Sequence, residues 1–194
     1  MADLGGPEGN TRLTSTTAVL LVGLLALEGV TILFIRPLIS MHVFVGLMLI
    51  PPVGLKLAST GWRFFRYYTG SRPYVLRGPP NILLRAVVAP VVVASTLVVF
   101  GTGISMLFVH PRNGTLVGLH KVGFVVWLAS TGVHVLAHLS RVARAAPADL
   151  RPATRLPAGP LRIGLVGVSL AAGAVVAAAA FHLATPWLDW VRVH

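Results

Sequence analysis

The sequence predicts an all-α integral membrane protein, and three observations predict it. Of its 194 residues, 55% are hydrophobic and only 11% are charged, with a mean hydropathy of +0.82, whereas about a quarter of the residues in soluble domains are charged. Five stretches, roughly 16–35, 41–60, 83–108, 116–139 and 161–184, are apolar over the length that a helix needs to cross the hydrocarbon core. Most of the arginines, finally, collect in two of the loops between these stretches.

The segment before the first span, "MADLGGPEGNTRLTSTT", has neither the positive start nor the cleavage site of a secretory signal, and the run after it is long enough to span. Residues 1–15 are therefore expected to be a cytoplasmic tail ahead of a retained first helix. The second span contains Pro51 and Pro52, which predict a kink. The third is longer than the bilayer core requires, so it tilts or extends past one interface. The fourth, "LHKVGFVVWLASTGVHVLAHL" at 119–139, carries three of the seven histidines. The fifth, "LVGVSLAAGAVVAAAAF", is crowded with Gly and Ala and reads as a packing helix whose backbone approaches a neighbour closely.

The two basic loops are "WRFFRYYTGSRPYVLRGPPNILLR" and "SRVARAAPADLRPATRLPAGPLR". They hold Arg63, Arg66, Arg72, Arg77, Arg85, Arg141, Arg144, Arg151, Arg155 and Arg162 against Asp149 alone, while the other side offers Arg36, Arg112, Lys121 and Arg192. The positive-inside rule makes both loops cytoplasmic, with the N-terminus inside, residues 140–160 a basic cytoplasmic loop, and residues 161–194 a fifth helix with an outer C-terminal tail. This is the expected topology of a multi-pass protein of the plasma (inner) membrane. The net charge of +11 then sets orientation and does not predict nucleic-acid binding. Trp62, Phe64, Phe65, Tyr67, Tyr68 and Tyr74 read as interfacial anchors. With no cysteine, disulfides, thiolate metal sites and cysteine nucleophiles are excluded. There is no nucleotide-binding loop either, so substrate chemistry is expected to belong to a partner.

Ionisable residues inside spans are costly and are functional candidates by default. Here they are Glu28, His42, Lys56, His120, His134, His138 and His182. His120 and His134 are 14 residues apart, which places them within about 40° of one helix face and about 21 Å apart along the axis. His42 and Lys56 have the same spacing on the second span. Both spans run inward from outside, so His42 and His120 share the outer leaflet, and Lys56 and His134 share the inner one. Two neutral imidazoles from facing helices supply both axial ligands of a b-type haem. Gly46 and Gly123, near His42 and His120, are candidates for the small residues that a flat macrocycle requires.

"SMHVFVGLMLIPPVGLK" with "LHKVGFVVWLASTGVHVLAHL" resembles the second and fourth helices of the di-haem four-helix cytochrome b membrane superfamily. That superfamily includes bacterial b-type cytochromes, ferric-reductase-like transmembrane proteins and the cytochrome b subunits of hydrogenase and formate dehydrogenase. The resemblance covers roughly residues 16–139 and implies an up-and-down four-helix bundle, to which the fifth helix is an addition. It implies one or two molecules of haem b, electron transfer between a quinone pool and a redox partner protein, and axial ligation by His42 and His120. His134 is the candidate ligand of the second haem, and Lys56 stands where the superfamily places the fourth histidine. Lysine ligates iron only as the neutral amine; otherwise its ammonium snorkels toward the headgroups or forms an ion pair.

Glu28 is a candidate to orient a ligand imidazole or relay a proton. His138, one turn after His134, is a candidate for a haem propionate or quinone contact, a substitute ligand, or an interfacial residue. Two other classes remain open. One is a haem-free membrane anchor, assembly or transport subunit that retains the bundle, and the other is a divalent-metal site or pathway built from His42, His120, His182 and Glu28.

Overall fold

The structure is a computed structural model that describes residues 4–78, 82–109 and 114–193. His110, Arg112, Asn113 and His194, and the side chain of Arg192, lie outside the described residues. Among the described residues all regular structure is helical. Five helical stretches, Gly6–Leu33, Ile35–Tyr68, Leu84–Met106, Gly114–Asp149 and Gly159–Val191, are long and apolar enough to cross a membrane. In none of them is more than 22% of the most apolar window buried, so the Val and Leu side chains that supply the hydropathy mostly point outward. Water would not tolerate such a surface and lipid does, which makes this a multi-pass membrane protein.

Helix α1 (Gly6–Leu33) begins well before the apolar window that signals it. Its first turns are polar yet largely buried: Asn10, Arg12, Ser15 and Thr17 are each no more than 9% exposed. The residues expected as a tail are thus in part a helix stabilised by polar partners. Helices α2 (Ile35–Met48) and α3 (Ile50–Tyr68) share one apolar stretch, interrupted at Leu49. Pro51 and Pro52 open α3 and have no N–H to return to the carbonyls of Leu47 and Met48, so the α2 ladder cannot continue through them. Short α4 (Arg72–Val75) follows.

Helix α5 (Ala89–Met106) is preceded by a widened turn, Leu84–Val88, in which the Ala89 N–H donates to the Leu84 carbonyl. Pro90 cannot donate to Ala86, and the widened turn accommodates that gap. Helix α6 (Gly114–Ala145) runs past the expected start of the basic loop, whose remainder winds into the tight turns Ala146–Asp149 and Pro152–Thr154. Helix α7 (Gly159–Ala180) leads through the tight turn Phe181–Ala184 into α8 (Thr185–Val193).

The chain forms two compact units, and several helices contribute to both. The first comprises Met1–Leu27, Met48–Pro79 and Leu139–Val175. Its centre is polar: Asp149 is held by Arg162 through Nε–Oδ2 (2.5 Å) and Nη2–Oδ1 (2.7 Å), and by Arg12 through Nη1–Oδ1 (2.9 Å). Asp149 and Arg162 are both 2% exposed, so two residues of the predicted orientation loop are instead its buried hub. Arg162 also donates to the carbonyls of Leu4 and Pro157, and the backbone carbonyl of Asp149 accepts from Arg155 Nε. Gly173 of α7 lies against the Met48 carbonyl, so close that a Cβ there would overlap the oxygen.

The second unit comprises Glu28–Leu47, Pro80–His138 and Val176–His194. Gly123 of α6 faces Val98 of α5, where an added Cβ would stand 2.8 Å from Val98 Cγ1. This glycine admits a neighbouring helix. Trp127 Nε1 donates to Thr96 Oγ1 (3.0 Å) and Trp187 Nε1 to the Met106 carbonyl (2.6 Å), so both indoles are tied to α5. The ring of Phe181 meets that of Phe44 edge-on.

Candidate functional site

The second unit brings His42 and His120 together, although 78 positions separate them in the chain. Their ring centroids are 6.4 Å apart and their planes stand at 89°. Each imidazole is fixed by a neighbour through Nδ1.

His42 comes from α2, and the chain reversal after α1 sets it opposite Glu28. Phe34 separates the two helices, and Leu38 departs from helical geometry (φ −108°, ψ 15°). His42 Nδ1 lies 2.9 Å from Glu28 Oε1 and 3.0 Å from Thr31 Oγ1. The Thr31 hydroxyl has one proton, and the Glu28 carbonyl, 2.6 Å away, receives it. Carboxylate and hydroxyl oxygen are then both acceptors toward His42, whose proton belongs on Nδ1.

His120 repeats this logic with different partners. Its Nδ1 lies 3.0 Å from Thr102 Oγ1 on α5. That hydroxyl gives its proton to the Val98 carbonyl at 2.6 Å and therefore accepts from His120 Nδ1–H. In the neutral form of either ring, Nε2 is left with its lone pair, as a metal-ligating histidine requires. Two glycines lie nearby: a Cβ on Gly103 would stand in ordinary contact, 3.4 Å from His120 Cε1, and one on Gly46 3.5 Å from Glu28 Oε1.

His134 and His138 occupy successive turns of α6, with ring centroids 4.6 Å apart. His182 is exposed, and its Nδ1 lies 2.9 Å from the carbonyl of Ala179 one turn back. Among the described residues no group of three or more His, Asp or Glu side chains is arranged to hold a metal ion. Lys56 falls in the first unit, where its ammonium donates to the Thr14 carbonyl at 2.8 Å. Beside it, Asn10 Nδ2 donates to the Ser59 carbonyl (2.9 Å) and Thr14 Oγ1 to Ser59 Oγ (3.0 Å), forming a polar seam between α1 and α3.

Sequence reasoning did not identify Thr31 and Thr102. Thr31 carries a usable signal, since it lies one turn from Glu28 and so shares its face. Thr102 carries none, because only the packing of α5 on α6 sets it against His120. In comparisons with known proteins, no family model, curated sequence or solved structure matches this chain.

Proposed function

We propose that this chain is a membrane-embedded b-type cytochrome of the four-helix superfamily it resembles, with haem b held by His42 and His120. The observation that carries the reading is the histidine pair itself. A metal–imidazole bond of about 2.0 Å, plus about 1.1 Å from that nitrogen to the ring centre, sets two axial rings on one iron roughly 6 Å apart. The observed separation is 6.4 Å, and both Nδ1 atoms are engaged elsewhere. This donor pair supports the reading of one haem between the two rings. Held by His42 and His120, a haem would supply reversible one-electron transfer.

The protein's own groups each have a part in this. Glu28 and Thr31 fix the His42 ring and its tautomer, and Thr102 does the same for His120. A carboxylate at Glu28, 2.9 Å from His42 Nδ1, would favour the oxidised state of a haem held there. A second haem on His134 and Lys56 has weaker support, because the Lys56 nitrogen is engaged with the Thr14 carbonyl. The four-helix arrangement, the plasma-membrane location with the N-terminus inside, and exchange with a quinone pool or redox partner protein belong to the same proposal.

Absorption spectra of the purified, haem-replete protein, oxidised and dithionite-reduced, test it. A low-spin b-type spectrum is expected, abolished by His42→Ala and by His120→Ala and retained by His134→Ala. A wild-type protein without that spectrum overturns the proposal and leaves the haem-free anchor, assembly or transport role and the divalent-metal site.

A further inference from the structure

The first unit contains a cavity of about 480 Å³ that has no part in the histidine site. It opens between the start of α1, the end of α3, the segment after α4 and the end of α6, and five arginines line it: Arg12, Arg63, Arg77, Arg141 and Arg144. Its only carboxylate is Glu8.

The charges do not balance. Arg12 is committed to Asp149 and the Thr154 carbonyl, and Arg77 to Glu8 and, through Nη1, to Thr11 Oγ1. Glu8 serves Arg12 as well as Arg77. Arg63, Arg141 and Arg144 make no ion pair among the described residues, and they come from two different helices. Converging like charges repel, and the fold holds them around one space large enough for a small ligand. Uncommitted guanidinium groups, each a planar fork of donors, match the oxygens of a phosphate. Thr11 also lines the space. In a membrane protein, a basic pocket where arginine loops meet the headgroups is suited to anionic lipid.

We propose that this cavity binds a phosphate-bearing anion through Arg63, Arg141 and Arg144. The shared chemistry is a phosphate group, supplied either by the headgroup of an anionic phospholipid or by a free phosphate ester or anhydride. Neither source depends on haem binding.

The test compares the full-length wild type with Arg141→Gln/Arg144→Gln and with a charge-matched control, Arg72→Gln/Arg151→Gln, whose residues do not line the cavity. Inorganic pyrophosphate is titrated in neutral detergent, with thermal unfolding as readout. In parallel, each protein is reconstituted in vesicles of phosphatidylcholine alone or with cardiolipin, and bound cardiolipin is quantified. Saturable stabilisation by pyrophosphate, weakened at least about tenfold in the cavity variant and unchanged in the control, supports a free phosphate compound as ligand. Selective retention of cardiolipin by wild type and control but not by the cavity variant, without a pyrophosphate effect, supports a lipid headgroup. Absence of both effects, or equal loss in the two variants, overturns the proposal.

Discussion

Asp149 is a carboxylate that two guanidinium groups hold from opposite ends of the chain, and its environment makes a half-complete pair expensive. Arg162 is 2% exposed and places Nε and Nη2 on the two oxygens of Asp149. Asp149→Asn removes the charge that pairs with Arg162 and leaves that buried guanidinium with neutral oxygens alone, among them the Leu4 and Pro157 carbonyls. Breaking such a pair costs about 3–5 kcal/mol, so a large drop in thermal stability of the purified protein is expected. Glu8→Gln, by contrast, interrupts the pair with Arg77, in which both side chains are about 40% exposed. Exposed pairs contribute at most about 1 kcal/mol, so its unfolding temperature should stay close to wild type. Equal losses in the two variants would show that burial does not set the value of these charges. Lys56 is likewise explained at this scale: its ammonium satisfies a helix carbonyl in a seam with Asn10, Thr14 and Ser59. Neither role is legible in the sequence, because Arg12 meets Asp149 across 137 positions and no local pattern encodes that pairing.

Among the elements, the interruption at Leu49 shows how a readable local signal acquires an unreadable partner. Pro51 and Pro52 announce the kink, but nothing near them indicates that Gly173 of α7 covers the carbonyl they strip of its donor. The Met48 oxygen lacks the Pro52 N–H as a donor, and a residue without a side chain lets the α7 backbone reach it. Gly173→Val should therefore force α7 away and lower the unfolding temperature markedly. Gly167→Val, on the same helix with open space around its Cα, should change it little. Measuring both in the same detergent separates close approach from the general cost of a β-branched residue in a helix, and similar shifts would refute the contact. The start of α1 has the same lesson. Hydropathy marks lipid-facing residues, so it missed the turns from Gly6 onward, whose polar side chains are satisfied by other protein groups.

For the whole molecule, the five apolar helices were legible because lipid is the solvent, and each must satisfy its own backbone and show Val and Leu outward. The meeting of His42 with His120 was legible for a related reason. If the spans alternate strictly, like ends of the second and fourth helices share one depth, and His42 and His120 each fall near the start of their span. The orientation expected from the arginine loops is testable, and the absence of cysteine makes the test clean. Ser40 lies between Glu28 and His42 in sequence, Thr185 opens α8, Thr69 ends α3, and Ala153 lies between α6 and α7; all four are exposed. Single cysteines at these positions, treated in intact cells with a membrane-impermeant maleimide, should react at Ser40→Cys and Thr185→Cys. Thr69→Cys and Ala153→Cys should react only after the membrane is opened. The opposite pattern would invert the protein and put the histidine pair in the inner leaflet. Reaction of Ser40→Cys and Thr69→Cys from the same side would mean that Ile35–Tyr68 does not cross at all, and His42 and His120 would lose the common depth on which their pairing was predicted.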